Sequence, residues 1–197
     1  MSMLGFAILG QAPIFADPFL YTFAGVASGS IGSATFADAN FVISVLADTN
    51  NIQFANFFFF NIFSLDDNSA TISVQGLPTA TFSIPTRVFA SHGFARHGVG
   101  FSRTGLAGTY LLDITDNLLE FFDLSFPIGP IGPDSAFGLD PLHPVPSDQG
   151  DVTLNGASDV VFQAEKAQSA VPEPSSYVLL ATTLAVLAWA SRRRNHV

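Results

Sequence analysis

Three histidines in the body of the chain are its best candidates for metal binding or acid–base catalysis: His92, His97 and His143. No two of them stand four residues apart, the spacing that puts two zinc ligands on one face of a helix. His92 and His97 fall within Ser91–Gly98, where the glycines predict a turn-rich loop. We therefore expect exposed loop histidines here, and no metal site.

Nucleophilic and glycosidic chemistry have weaker support. Ser91 and His92 are adjacent, but no Gly-x-Ser-x-Gly elbow surrounds the serine. Glycoside hydrolysis needs two carboxyl groups that flank the scissile bond. Glu120 is the one glutamate well inside the body, and the sequence offers it no evident partner. The residues therefore favour a protein that is not an enzyme.

Two groups of acidic and amide side chains supply the hard oxygen ligands that Ca²⁺ prefers. They are Asp66, Asp67 and Asn68, and Asp113, Asp116 and Asn117. Neither group has the spacing of a calcium-binding loop, so turn and capping roles are favoured. Cysteine is absent, which excludes disulfides and cysteine-zinc sites. We expect no cofactor.

Four consecutive phenylalanines, Phe57 to Phe60, could form a surface on which sugar rings stack. On a strand, however, side chains alternate between the two faces, so such a run would place two rings on each face. Strands buried on both faces have this composition, and an exposed copy would be prone to aggregation. The sequence therefore predicts that the four rings are buried.

The last 27 residues contain three segments of different chemistry. In Pro172–Pro174, two prolines flank a glutamate, fix φ twice and remove two backbone donors, so this peptide is extended. An extended, solvated peptide is the form that a protease-like active site can bind. An uncharged run without Gly or Pro follows at Tyr177–Ala190, and three arginines follow at Arg192–Arg194.

The apolar run has fourteen residues, or seventeen with three neighbouring serines, and a transmembrane span needs about 20. Tyr177 and Trp189 lie near its ends, where amphipathic rings favour the membrane interface. We predict a transmembrane helix at residues 177–191 and a basic cytoplasmic tail at residues 192–197, oriented by the positive-inside rule. The alternative is a buried core helix, which would need a partner that the sequence does not reveal.

This arrangement resembles the PEP-CTERM sorting signal in all three of its parts. The apolar run corresponds to the membrane segment of that signal. The short motif and the basic end are matched by Val171, Pro172, Glu173, Pro174 and Ser175, and by Arg192, Arg193 and Arg194. The resemblance is limited to this tail, about one seventh of the chain.

The resemblance implies a substrate of exosortase, a membrane transpeptidase-like enzyme of Gram-negative bacteria that also make extracellular polysaccharide. The implied path is export, transient anchoring in the inner membrane, and recognition at the Pro-Glu-Pro motif. Release or transfer to the cell surface or extracellular matrix would follow. Val171–Ser175 would be the substrate site for that enzyme, and Arg192–Arg194 would stop and orient the membrane segment.

Charge excludes one class of partner. The net charge of −9 becomes −12 when the three terminal arginines are left out. A body this acidic has no basic surface for nucleic acid, so we expect no nucleic-acid binding. Anionic lipid surfaces would repel it as well.

The N-terminal residues 1–16 are mostly apolar, and Ala16–Asp17 could be a signal-peptide cleavage point. A signal peptide has a basic n-region, however, and no Lys or Arg precedes Arg87. We expect a signal that is either atypical or truncated by a misplaced start codon, because the C-terminal signal requires export. The alternative is that Leu4–Phe15 forms a first strand.

Period-two alternation of Phe, Val, Ile and Thr recurs from Pro18 to Gln163, with turns of small residues between the runs. This pattern predicts an all-β domain at residues 17–163, an antiparallel β-sandwich or jelly-roll-like fold. Residues 126–150 hold six of the twelve prolines, which predicts a long loop or an edge excursion. A linker with the Pro-Glu-Pro motif would occupy residues 164–176.

We therefore expect an exported surface or matrix protein, structural or adhesive in an exopolysaccharide or biofilm layer, with extracellular polysaccharide as a further partner. The alternatives are a carbohydrate-binding module and a carbohydrate-active hydrolase that uses acids in the proline-rich segment. An acidic pair aligned across a cleft would favour the hydrolase. A flat, exposed aromatic strip would favour the binding module.

Overall fold

The computed structural model describes residues 18–67, 69–93, 96–105 and 110–167. They form antiparallel strands and two 3-10 helices, at Thr49–Asn51 and Asn117–Leu119, which confirms the all-β prediction for the body. The strands are β1 Pro18–Ile31, β2 Ala34–Asp48, β3 Gln53–Phe57, β4 Phe60–Asp67, β5 Ala70–Val74, β6 Ala80–Thr81, β7 Thr86–Gly93, β8 His97–Arg103, β9 Leu112–Thr115, β10 Ile128–Asp134, β11 Val145–Ser147 and β12 Gly150–Lys166.

The strands form two sheets. The first has the order β10-β12-β1-β2-β5-β6, with β11 also paired to β12, and the second has the order β3-β4-β7-β8-β9. The longest hairpin, β1-β2, is in register from Pro18↔Asp48 to Ile31↔Ala34. It turns at Gly32, whose φ of 56° is a left-handed conformation that glycine adopts without steric cost.

Both sheets contribute to a single hydrophobic core. Along β1, the side chains of Phe19, Tyr21 and Phe23 are buried, as the period-two alternation predicts. Phe82, which follows β6, packs against Phe101 of β8 with 5.1 Å between ring centroids. Two antiparallel sheets that face each other across one core make a β-sandwich. Each fully buried phenylalanine stabilises it by about 1.5–3 kcal/mol.

The proline-rich segment lies at an edge of the first sheet. β10 pairs with β12 on one side only, and its contacts recur every third residue, at Ile128, Ile131 and Asp134. Proline has no amide hydrogen to donate, so it fits an edge strand and not a central one. The prediction of an edge excursion is confirmed.

The chain enters and leaves the sandwich at the same place. Phe19 of β1 pairs with Lys166 of β12, and the backbone N–H of Ala167 donates to the carbonyl of Pro18 over 2.9 Å. β12 thus continues three residues beyond Gln163, where the sequence predicted the domain to end. The reason is that Ala164 is buried and pairs with Tyr21, so this stretch belongs to the sheet.

Several predicted segments lie outside the described residues. They are the signal peptide at residues 1–16, the linker beyond Ala167, the transmembrane helix at residues 177–191 and the basic tail at residues 192–197. Within the part of the chain that the structure covers, no helix has the length and hydrophobicity needed to cross a membrane.

A buried hydrogen bond ties β1 to the segment that follows the second 3-10 helix. The Tyr21 hydroxyl donates to the carbonyl of Leu124 over 2.6 Å, and both residues are fully buried. Burial, together with the nearby Asp123 carboxylate, raises the pKa of the Tyr21 phenol. The hydroxyl therefore keeps its proton at neutral pH and remains a donor.

Tyr21→Phe is expected to lower the free energy of unfolding by about 1–3 kcal/mol, because it leaves the buried Leu124 carbonyl without its partner. Urea unfolding followed by circular dichroism measures the change. The matched control is Tyr110→Phe at a half-buried tyrosine, where a change within about 0.5 kcal/mol is expected. Equal midpoints for Tyr21→Phe and the wild type would show that the bond contributes nothing.

Candidate functional site

His92 and His97 face each other near the end of the β7-β8 hairpin, where they form a register pair. Their ring centroids are 5.8 Å apart in an edge-to-face arrangement. Both are half-buried. The prediction that they are exposed loop histidines is wrong, because the strands extend to Gly93 and resume at His97.

His92 and His143 each have a polar partner in the fold, whereas, within the part of the chain described, His97 Nδ1 does not. His92 Nε2 lies 2.7 Å from the carbonyl oxygen of Phe122, a bond that joins β7 to the segment after the second 3-10 helix. His97 Nδ1 is buried and finds no hydrogen-bond partner among the described residues. His143 Nδ1 lies 2.8 Å from Asp140 Oδ2 in the proline-rich segment. Over the described ranges, no three His, Asp or Glu side chains converge to hold a metal ion.

One acid from each group of calcium-ligand type, Asp66 and Asp116, has a local role, whereas the Asp67 side chain and Asn68 lie outside what the structure describes. Asp66 Oδ1 accepts from Arg87 Nε over 2.6 Å, an ion pair across β4 and β7. Asp116 caps the second 3-10 helix, where its Oδ1 accepts from the Leu118 amide over 2.7 Å. Asp116 therefore has the capping role that the sequence favoured.

Asp113 of β9 differs from the other acids because it is buried. Its backbone pairs with Gly138: the Asp113 amide donates to the Gly138 carbonyl over 3.0 Å. Its Oδ1 has no hydrogen-bond partner in the part of the chain that the structure describes. Burial raises the pKa of its carboxyl group from 3.8 to about 7. Sequence reasoning grouped Asp113 with surface acids and missed this environment.

One shallow depression holds charges of both signs. It measures about 290 Å³ and is lined by Arg96, His97, Thr115, Asp116, Asn117 and Asp134. The guanidinium of Arg96 also lies over the ring of Phe137, 4.2 Å from its centroid. Such a mixed polar surface can hold water or a polar ligand weakly, and it lacks the apolar enclosure of a typical small-molecule site.

The phenylalanine run Phe57–Phe60 is exposed, so the prediction of a strand buried on both faces is wrong. Phe58 and Phe59 form the two-residue turn between β3 and β4, and they are 90% and 65% exposed. Phe57 and Phe60 are the last pair of the hairpin ladder. β3 is the edge of the second sheet, so it has no neighbour on its outer side.

Rings stand on both faces of this aromatic hairpin, residues 54–63, and at its apex, and the pair Asn56–Asn61 separates the apex from the rings of one face. Phe54 and Phe63 pair across the hairpin at 5.0 Å, three residues from the Phe57–Phe60 pair at 4.9 Å. Because side chains alternate along a strand, these two pairs lie on opposite faces. Phe58 and Phe59 meet edge to face at the apex, 4.8 Å apart. The result is a knob, not a flat strip.

The sorting-signal residues lie outside the described residues, so their geometry is not part of this site. They are Val171, Pro172, Glu173, Pro174 and Ser175, with Arg192, Arg193 and Arg194. The chain divides into two units after Ala167, and the sorting-signal residues belong to the second of them.

The comparisons with known proteins agree with this division. A family model described as the PEP-CTERM protein-sorting motif matches residues 170–194. No curated protein and no solved structure matches the chain. The chain thus carries the C-terminal sorting motif of PEP-CTERM proteins, and this motif supports an exported protein that an exosortase sorts.

Proposed function

We propose that the protein is held briefly in the inner membrane by a helix at residues 177–191, and is then processed near Val171–Ser175 by an exosortase-like transpeptidase. The freed sandwich would serve as a structural or adhesive component of the extracellular polysaccharide layer. The observation that carries this proposal is the sorting motif at residues 170–194, which begins three residues after the compact body ends.

The described side chains support a role without catalysis. Three side chains of the types used in metal binding or acid–base catalysis help to hold the fold together. Asp66 pairs with Arg87, Asp116 caps a 3-10 helix, and His92 bonds the Phe122 carbonyl. Groups tied up in this way are poorly placed to act on a substrate, since each would have to leave a structural partner first.

The alternative is a carbohydrate-binding module or a carbohydrate-active hydrolase. A binding module stacks sugar rings on coplanar aromatic side chains, whereas the aromatic hairpin presents rings on two opposite faces and an apex. Asp134 and Asp140, acids of the proline-rich segment, lie at partly buried positions there, and Asp140 contacts His143. These observations favour the structural role over both alternatives.

The proposed role in the matrix is tested by fractionation of the native host. We expect the protein to co-purify with extracellular polysaccharide from the wild-type strain, and to appear free in the medium of a strain that makes no such polysaccharide. The same distribution in both strains would contradict the adhesive role. Release of reducing sugars from that polysaccharide by the purified protein would favour the hydrolase instead.

A further inference from the structure

We propose that the aromatic hairpin, residues 54–63, inserts its phenylalanine tip into the interface of a zwitterionic lipid bilayer. The hairpin presents Phe57 and Phe60 on one face, Phe54 on the other, and Phe58 and Phe59 at its apex, all of them at least 42% exposed. An interface with a second protein or a sugar would cover one side of such a knob. An apolar phase that surrounds it removes all of the ring surface from water.

The place at which the hairpin joins the body supports this assignment. β3 begins five residues after Asp48, which pairs with Pro18 at the end of the first sheet where the chain enters and leaves. β4 returns to β5, whose Ala70 pairs with Val45 of β2. The hairpin therefore joins the first sheet at the end of β2 where Asp48 pairs with Pro18.

Contacts through the body support the same placement. The ring of Phe63 lies 5.5 Å from that of His92, and His92 bonds the carbonyl of Phe122. The ring of Phe122 lies 5.5 Å from that of Phe162, four residues before the end of β12. A series of side-chain contacts thus links the base of the hairpin to β12, the strand from which the chain leaves the domain.

A second exposed apolar group follows β9 in the second sheet. Leu118 and Phe121 are 70% and 77% exposed. They follow β9, whose Thr115 pairs with Gly98 beside His97. The two exposed apolar segments are linked through His97 and its register partner His92, and clustered exposed apolar surface of this kind marks an interaction site for a membrane or a protein.

The charge of the domain determines which kind of bilayer we expect it to contact. The residues around the tip are Asn56, Asn61, His92 and Gly93, without a carboxylate. The neighbouring segment contains Asp116, Glu120 and Asp123, and the body is strongly acidic. Like charges would repel an anionic surface, so a zwitterionic one is the expected partner.

The test measures the depth of single labels on the full chain, reconstituted in vesicles of phosphatidylcholine. The chain has no cysteine, so Phe58→Cys carries one fluorescent label. The control is Leu142→Cys, an 84% exposed site two residues after Asp140. The Asp140 amide bonds the carbonyl of Tyr110, before the start of β9 and away from Thr115. A third label, at Leu184→Cys, reports the proposed membrane helix.

We expect nitroxide-labelled lipid to quench the label at residue 58 and iodide in the water to lose access to it, with the reverse at residue 142. Adding Phe57→Ser, Phe59→Ser and Phe60→Ser should reduce lipid quenching at residue 58 to the level at residue 142, whereas adding Leu142→Ser should not. Iodide quenching at residue 58 would overturn the proposal. Shielding from both quenchers would also overturn it, and would indicate a protein contact such as a second copy of the chain.

This inference does not depend on the proposed membrane helix, and the labels separate the two. Lipid quenching at residue 184 without quenching at residue 58 would leave the anchor standing and refute the insertion of the hairpin. Lipid quenching at residue 58 without quenching at residue 184 would support the hairpin and refute the anchor.

Discussion

Replacing Pro172, Glu173 and Pro174 together by alanine is expected to leave the protein unprocessed in the membrane fraction of its native host. Proline fixes φ and favours an extended segment, and the glutamate supplies its charge. Alanines would remove the charge and would allow the proposed membrane helix to begin earlier in the chain. Enzyme sites built around a polar substrate group reject analogues that lack it by about 10⁴-fold. We therefore expect release to fall at least about a hundredfold.

An immunoblot of the membrane and extracellular fractions measures this release. The matched control is Glu165→Ala, which removes an exposed glutamate of β12 outside the sorting motif and should leave release unchanged. Normal release of the triple-alanine variant would mean that the Pro-Glu-Pro segment is not what the processing enzyme recognises.

Asp113→Asn is expected to stabilise the protein at alkaline pH. Burial raises the pKa of the Asp113 carboxyl from 3.8 to about 7, so the folded state keeps a proton that the unfolded state has released. Between those pH values the folded state binds more protons, and the free energy of unfolding therefore falls as pH rises. The difference of about three pKa units corresponds to about 4 kcal/mol once the group is ionised.

The asparagine cannot ionise, so this loss should disappear in the variant. We expect a gain of about 1–3 kcal/mol at pH 8, less than the full amount because the new amide hydrogens need partners of their own. Chemical unfolding from pH 4.5 to pH 8.5 measures it, with the exposed Asp151→Asn as control. If the free energies of unfolding of Asp113→Asn and the wild type changed in parallel over this pH range, the Asp113 carboxyl would not have a raised pKa.

The fold could be predicted from sequence wherever one face of a strand is buried and the other is not. Along β1, Phe19, Tyr21 and Phe23 alternate with less buried residues. This alternation in the sequence predicts a strand with one buried face. The edge position of β10 followed from proline chemistry, since the missing amide hydrogens are a local property. Features of this kind need no knowledge of the distant partner strand.

The features that sequence reasoning missed depend on which residues form a turn. Phe58 and Phe59 make a two-residue turn without the Asn or Gly that usually marks one, so the run of rings looked like a strand interior. His92 and His97 seemed to lie in a loop because glycines surround them, but the strands pair them. Asp113 resembled a surface acid because its burial comes from distant residues.

The sorting motif could be identified from the sequence because it consists of neighbouring residues in a fixed order. An enzyme that recognises an extended peptide reads consecutive residues, so the order of Pro172, Glu173 and Pro174 relative to an apolar run and a basic end is itself the signal. Any binding by the sandwich depends on its assembled surface, which includes the exposed aromatic hairpin.

The most direct test of the central claim is the intact mass of the mature protein from its native host, measured in both the membrane and the extracellular fractions. Sorting at the C-terminal motif predicts an extracellular species that ends between Val171 and Ser175 and lacks the apolar run. A full-length species found only in the inner membrane, with Arg192–Arg194 intact, would contradict the account.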